Sequence, residues 1–498
     1  MSGCILALDY GTTCMKGVLY DGEFRPLAQA SWPFTYTYPC AGGIEYPAEG
    51  YVTAAKDVIS RLVRESGVRR IDALALTGQA ETMICLDGDG RPLGNAFVWL
   101  DTRAGEEAAA LKERIGERAF YARTGIPGFD PAMPLCKLPW IRKHQPERYE
   151  KIRRVLMLKD YLVFALTGET AAEPSVSSCT GYLNIGRRAW DETLLETAGI
   201  DPALLPPLCE PCSFVGKLRE EIRRETGLEG EVPVCCGMID QSASAVGCGN
   251  FGGDVLSETT GTVLAVAAIL PAFRPETSTM PVFCHGLPGE YMALPNCSTA
   301  GMLLKWYRDT IHPEYAEQLK SGGENFFAKM DEVLLSRGMA NPELIAVPHF
   351  SGSQCPVTNP DARGVLWGLT LDTDRYDVAG ALMESVAFLL RENLDNLRKN
   401  GLDAETVVSL GGGANSDWWL QAKADITEKR ICTLRQGEST ALGCAYGAAM
   451  TLGRMDKPEI LRRRAVAKTF EPGPDRARRQ EKYRRYLEIN RALGFYPA

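Results

Sequence analysis

Histidine is scarce: there are four in 498 residues (His144, His285, His312, His349), and no two stand four apart. That argues against a histidine-built metal centre or a histidine-dependent nucleophilic triad. No G-x-x-x-x-G-K-S/T occurs, which excludes a P-loop NTPase, and the HRD and DFG motifs of protein kinases are missing. No apolar run approaches the roughly 18 residues that cross a bilayer. Val263–Phe273 is among the longest. Excess positive charge is also lacking: the net charge is −8, so nothing draws the chain generally toward nucleic acid or an anionic membrane. Only one C-x-x-C occurs, Cys209 to Cys212, without a clear second pair of zinc ligands. No secretory h-region precedes the first strand, so the sixteen cysteines predict free thiols in a reducing compartment, the cytoplasm.

What is present is ordinary globular material, 45% hydrophobic and 24% charged, long enough for two large domains. The organising stretch is Val232–Gly249. It reads as a buried strand ending at Asp240, then a small-residue helix suited to tight packing on a sheet. Open α/β sheets place chemistry at such strand ends. A helix cap is the bland alternative for Asp240.

Near the start, Cys4–Leu8 and Met15–Tyr20 predict a β-hairpin whose tip carries Asp9, Gly11, Thr12 and Thr13, with Lys16 beyond. Backbone amides, hydroxyls and one cation at such a tip suit a phosphate, and Asp9 suits a magnesium ion. A polar turn explains the same residues. Gln79 and Glu81 stand at a strand break and suit the hydroxyls of a polyol, with a solvated loop as the alternative. Trp99, Asp101 and Arg103 offer an apolar wall and polar contacts, or a surface salt bridge.

The Gly-rich Asn250–Asp254 is the expected hinge, dividing residues 1–249 from 250–455, with 456–498 as a helical tail. Val255–Leu270 repeats the strand, Thr-Gly-Thr, strand layout of the first hairpin, which suggests one domain type used twice. Ser298–Thr310 predicts a helix with Gly301 and Lys305 on one face. Gly411–Gly413 follow an apolar strand and allow close approach, with Ser416 or Asn415 capping the next helix. The Arg-rich tail, with Tyr483, Tyr486, Ile489 and Leu493 at helical spacing, predicts a docked helix with a solvated basic face.

Taken together, Asp9-Tyr10-Gly11-Thr12-Thr13, Asp240-Gln241, Gly261-Thr262 and Gly411-Gly412-Gly413, in that order, resemble the FGGY family of carbohydrate kinases. Phe129–His144 and Gly364–Glu384 are similar to its two signatures. The resemblance implies an α/β fold of two actin-like ATPase (RNase H-like) domains with a central cleft, closing over substrate and MgATP. It implies Asp240 as catalytic base, facing both Thr-Gly tips. It puts Asp9, Thr12, Thr13 and Lys16 on the phosphate and magnesium side, and Gly261 and Thr262 on the opposing loop. Gly301, Lys305, Gly412 and Ser416 match positions lining the nucleotide.

Within the family, W-L-D-T-R and the Leu158–Glu169 stretch look like the xylulokinase branch. Xylulokinases usually carry Met-His where this chain has Ala80-Glu81. Glycerol kinases carry Arg-Glu there and Tyr at the position of Ala132. Two alanines imply a pocket larger than a three-carbon substrate needs, so a ketose such as D-xylulose leads, lined by Gln79, Glu81, Trp99, Asp240 and Gln241. A glycerol, tetritol or other polyol kinase remains open, as does an actin-like protein that uses nucleotide to switch a binding surface. The expected partners are a sugar or polyol and ATP, with no nucleic acid and no membrane. A homo-oligomer stays open.

Overall fold

The computed structural model describes residues 3–276, 280–339, 341–435 and 437–497. The chain forms two compact units, and neither is one continuous segment. Unit 1 comprises Met1–Gly249, Leu270–Met292 and Glu438–Arg463; unit 2 comprises Asn250–Ile269, Ala293–Gly437 and Arg464–Ala498. The stretch 456–498, expected as a tail by itself, is therefore shared between them.

Unit 1 is built on six strands: β1 (Ile5–Tyr10), β2 (Cys14–Tyr20), β3 (Pro26–Pro33), β4 (Ala73–Gly78), β5 (Phe214–Lys217) and β6 (Pro233–Ile239). Their order is β5-β6-β4-β1-β2-β3. The first three form an antiparallel meander, β4 and β6 run parallel to β1, and β5 returns antiparallel. The parallel strands ILALDY, ALALTG and PVCCGMI are buried almost throughout, as strands covered on both faces must be. Leu6 and Leu8 pack with Val58 and Leu62 of α1 (Ala48–Ser66) and with Leu162 and Leu166 of α2 (Leu158–Thr167). Each such buried leucine is worth about 1.5–3 kcal/mol. A strand, Arg154–Met157, precedes α2 and pairs with Met83–Leu86 in a small separate sheet.

The helix after Asp240, α3 (Asp240–Gly247), finds its tight partner in another helix of the same unit, α4 (Ser439–Thr451), rather than chiefly in the sheet. A Cβ on Gly247 would lie 1.9 Å from the Ser439 carbonyl, and one on Gly443 would lie 1.8 Å from that of Ala243. The small-residue run thus lets two helix backbones touch, and the Ser244 and Thr440 hydroxyls bond across them at 2.7 Å.

Unit 2 repeats the plan with β7 (Val255–Thr260), β8 (Leu264–Leu270), β9 (Asn296–Cys297), β10 (Thr406–Leu410), β11 (Arg430–Leu434) and β12 (Val466–Phe470). Along the sheet they run β8-β7-β10-β11-β12, with β9 also paired to β8 off that path. Again an antiparallel hairpin, β7 with β8, comes first, then two strands parallel to β7, then an antiparallel one. The two echoing hairpins of the sequence each open a sheet of the same topology, that of an RNase H-like domain.

The helix Arg476–Ala492 docks in unit 2 through Tyr486 and Ile489, beside Phe388 of the long helix Arg375–Lys399 and Ile426 of the helix Asp417–Thr427. Its basic face is only partly solvated, contrary to expectation. Arg479 and Lys482 are buried and pair with Glu384, Arg479 also with Asp425. Buried charges need such partners, and those lie 54 to 98 residues away in sequence. Leu493, expected to dock, is 42% exposed.

Candidate active site

Three adjacent parallel strands of unit 1 stop in register: Tyr10 is opposite Gly78, and Gly78 is opposite Ile239. Asp9, Gln79 and Asp240 therefore gather along one C-terminal sheet edge. A bulge in β6 between Cys235 and Met238 sets the last step. It turns at Gly237, whose φ of 67° and 1.6 Å approach of a built Cβ to the Leu76 carbonyl admit no side chain. Beyond it, Thr77 Oγ1 donates to the Met238 carbonyl at 2.8 Å, and Ser175 Oγ accepts from the Ile239 amide at 2.9 Å. These bonds fix the strand end that carries Asp240. Gln241 follows in the first turn of α3.

Burial pushes the Asp240 carboxyl up to about 7, opposed by the Gln241 amide. Burial, then the Asp240 charge, pushes Asp9 up to about 8, with Lys16 opposing. The Asp9 Oδ1 atom is buried without a hydrogen-bond partner. Two carboxylates that repel one another beside an orphaned oxygen fit a divalent cation. No group of three metal-ligating side chains is assembled among the described residues. Magnesium keeps most of its waters and takes one or two carboxylates.

The hairpin tip holds its expected residues, but two are already engaged. Lys16 Nζ contacts both carboxylate oxygens of Glu438, at 3.0 and 3.1 Å. Thr12 Oγ1 accepts from the Trp99 indole at 3.0 Å, and its carbonyl accepts from Tyr36. Thr13 is exposed. Glu438 was not singled out by sequence, since 422 residues separate it from Lys16.

Gln79 is buried beside Tyr36, its side-chain amide atoms without a partner in bonding geometry, while its backbone amide bonds to the Tyr10 carbonyl at 3.0 Å. Glu81 stands at φ 61°; burial first, then Asp130, raises its carboxyl to about 8, opposed by Lys137. Trp99 is set by its backbone amide on Thr82 Oγ1 at 3.0 Å. Asp101 and Arg103 are spent on each other and on Glu45, with side chains 0% and 4% exposed. Arg103 also lies over the Phe97 and Trp140 rings. They form a buried structural pair, neither a surface salt bridge nor a contact left for a ligand.

Unit 2 gathers its own candidates. The Gly301 amide bonds to the Gly261 carbonyl at 2.9 Å, and Met302 bonds to the Thr262 carbonyl at 3.3 Å. Gly411 and Gly413 close on Thr260, whereas Gly412 faces open space. Ser416 caps the helix Asp417–Thr427 through the Trp419 amide at 3.1 Å and also bonds to Asp331. Lys305 is exposed on the short helix Gly301–Trp306. Under this tip Lys423 pairs with Glu258 at 2.6 Å, a pairing sequence gave no hint of.

The four cysteines around the C-x-x-C do converge in unit 1, in two separate pairs. Cys209 and Cys236 sulfurs lie 3.7 Å apart, while the Cys235 thiol donates to the Cys212 carbonyl at 3.1 Å. Adjacent residues of β6 project to opposite faces, so these thiols do not meet at one point.

Comparison with known proteins brings the two units under one heading. Residues 4–247 match the N-terminal domain of the FGGY family of carbohydrate kinases, and residues 256–452 match its C-terminal domain. The chain is 28% identical to a xylulose kinase of Bacillus subtilis, over 97% of this chain and 95% of that one. It is 30% identical to a glycerol kinase of Thermococcus gammatolerans, over 99% of each. Among solved structures, the ligand-bound xylulose kinase of Lactobacillus acidophilus superposes with a TM-score of 0.87 at 26% identity, covering 99% of this chain and 98% of that one.

Proposed function

The chain belongs to the FGGY family of carbohydrate kinases, phosphotransferases that use ATP and an alcohol acceptor, and from that premise we propose that it phosphorylates a hydroxyl of a ketose such as D-xylulose, with Asp240 as general base. The observation that carries the reading is the pair Asp9 and Asp240 at the ends of β1 and β6, the two strands that flank β4, with Asp240 held near 7. A base with that pKa accepts a hydroxyl proton at neutral pH, a contribution of about 10²–10⁴ in rate.

Phosphoryl transfer asks a protein for alignment and charge neutralisation more than for covalent help. Asp9 would hold magnesium, which supplies positive charge to the ATP phosphates when bound. Thr12, Thr13 and Lys16 in unit 1, and Gly261 and Thr262 in unit 2, offer hydroxyls, amides and one cation for phosphate oxygens. Gly301, Lys305, Gly412 and Ser416 line the nucleotide in this reading. Gln79, Glu81, Trp99 and Gln241 orient the acceptor. The unpartnered Gln79 amide and the Glu81 carboxylate are what a polyhydroxylated acceptor would satisfy. Free thiols at all sixteen cysteines support the cytoplasm as the site of action.

The choice of ketose rests on Ala80 and Ala132, which leave room that larger side chains would fill. ADP release measured over D-xylulose, other ketoses, glycerol and tetritols tests it. D-Xylulose or another ketose should give the highest kcat/KM; a higher value with glycerol or a tetritol would overturn the ketose assignment. Asp240→Asn should lower kcat by about 10²–10⁴ while still binding sugar in a thermal-shift assay. Near wild-type turnover would remove Asp240 from the role.

A further inference from the structure

Lys137 lies in the helix Pro134–His144 and is completely buried. A buried ammonium is tolerated only where it is paired or fully hydrogen-bonded. This one donates to main-chain carbonyls: that of Val98 at 3.0 Å and that of Glu81 at 3.3 Å. The two carbonyls belong to separate loops, the Gly78–Thr82 break and the segment leading to Trp99. Both loops carry residues assigned above to the acceptor.

Each loop needs holding. Glu81 sits in the left-handed region, disfavoured for any residue with a Cβ. The Thr82 amide bonds to the Ala80 carbonyl at 2.7 Å, which tightens the turn but does not anchor it to another element. The Val98 carbonyl precedes Trp99, whose indole reaches Thr12 in the phosphate tip. The ammonium therefore adds a second tie between the Glu81 turn and the Trp99 segment, beside the Trp99 amide bond to Thr82 Oγ1 at 3.0 Å, and through Trp99 the link runs on to the β1–β2 hairpin. Lys137 bonds to the main-chain carbonyl of Glu81 rather than to its carboxylate. The charges facing Glu81 are Asp130 and Lys137; those facing Lys137 are Glu81, Asp101, Asp130 and Arg103.

We propose that Lys137 is a positioning residue for the acceptor: it locks the Glu81 turn and the Val98–Trp99 segment together and supplies the positive charge that keeps the Glu81 carboxylate able to accept acceptor hydroxyls. The proposal rests on the kinase reading with Glu81 as an acceptor contact.

The test uses the full chain and two substitutions, Lys137→Met and Lys137→Arg, with ADP release measured against D-xylulose and against glycerol at varied MgATP and pH. Lys137→Met should raise the acceptor KM by roughly 10- to 100-fold and leave the MgATP KM within about twofold, because it strands two carbonyls beside the acceptor. It should also move the acid limb of kcat/KM for the acceptor to higher pH, since the opposing cation is gone and burial and Asp130 then act alone on Glu81. Lys137→Arg keeps the charge but cannot place one nitrogen between both carbonyls. Its acid limb should stay in place while its acceptor KM rises several-fold.

An unchanged acceptor KM in either folded variant overturns the proposal, and so does an equal rise in both KM values with an unmoved acid limb. Should Lys137→Met fail to fold, Lys137→Arg alone decides on the acceptor KM. A wild-type protein that uses glycerol and not D-xylulose sinks the ketose assignment and leaves Lys137 to be judged on glycerol. A wild type that phosphorylates neither sinks this role together with the reading beneath it.

Discussion

The two units open on the same hairpin, yet they treat their acids in opposite ways. In unit 1, Asp9 stands one residue before the end of β1 with a buried oxygen unpartnered and a second carboxylate, Asp240, close enough to repel it. In unit 2, Glu258 stands two residues before the end of β7 and is saturated. Lys423 pairs with it at 2.6 Å, Thr260 donates at 2.7 Å, and Ser409 donates as well. Lys423 also reaches Thr260 Oγ1 at 2.9 Å. A buried acid fully bonded by its own unit has nothing left to offer a ligand; one left short of partners is destabilised until something arrives. The difference separates a closed acid from an open one within a shared topology.

Breaking the closed acid should produce the largest effect. Lys423→Met leaves Glu258 buried without its cation and should cost about 3–5 kcal/mol of unfolding free energy, read from urea denaturation. A loss below about 1 kcal/mol would mean Glu258 is not the closed acid described. Asp9→Asn should do the reverse. It relieves repulsion with Asp240, so the ligand-free protein should resist urea better, while kcat falls by about 10²-fold or more through lost charge stabilisation of the phosphates. A variant that loses stability and keeps its rate would erase the contrast.

The contrast sharpens with pH. Asp9 at about 8 and Asp240 at about 7 both lie far above the ordinary carboxylate range. For an acid raised on folding, the folded state binds more protons than the unfolded one. Stability is therefore highest below the unfolded value and is lost as pH rises toward the folded value. The urea midpoint of the ligand-free wild type should fall between about pH 5 and 8.5, and that of Asp9→Asn should fall less. Magnesium should restore part of the loss in wild type at the alkaline end and little in Asp9→Asn. Identical pH profiles would count against Asp9 as the metal-side acid. Turnover should run the other way, declining below about pH 7 as Asp240 takes up its proton.

The open acids were legible in sequence and the closed ones were not, for a physical reason. Asp9 and Asp240 each end or follow an apolar run of strand length, and a charge at such an end has few places to go but a sheet edge. The hairpin repeat showed for the same reason, since a strand, a Thr-Gly turn and a second strand are local. Partnership is not local. Lys16 meets Glu438 across 422 positions, and Lys423 meets Glu258 across 165. Arg479 and Lys482 looked like a solvated stripe because nothing nearby marks Glu384 and Asp425 as their partners. Asp101 and Arg103 misled in a subtler way. Their spacing is visible, but their burial depends on Glu45 and the Phe97 and Trp140 rings. The bulge at Gly237 that re-aims the end of β6 was likewise hidden, as a lone glycine in a strand does not announce its φ.

The smallest effect tests whether the open tip is prepared before anything binds. Trp99 donates its indole N–H to Thr12 Oγ1 at 3.0 Å, a side-chain bond that ties the proposed acceptor wall to the proposed phosphate tip. Trp99→Phe keeps much of the aromatic wall and deletes that donor. A neutral hydrogen bond of this kind is worth about 0.5–1.5 kcal/mol, so kcat/KM should fall by roughly 2- to 12-fold. Because Thr12 belongs to the tip and Trp99 to the acceptor wall, the loss should appear in the KM for both MgATP and sugar. Thr12→Val should reproduce it, and the double variant should lose little more than either single one, the signature of a shared interaction in a double-mutant cycle. Additive losses would mean that wall and tip work independently, and that unit 1 holds its open acid between two parts rather than within one preorganised edge.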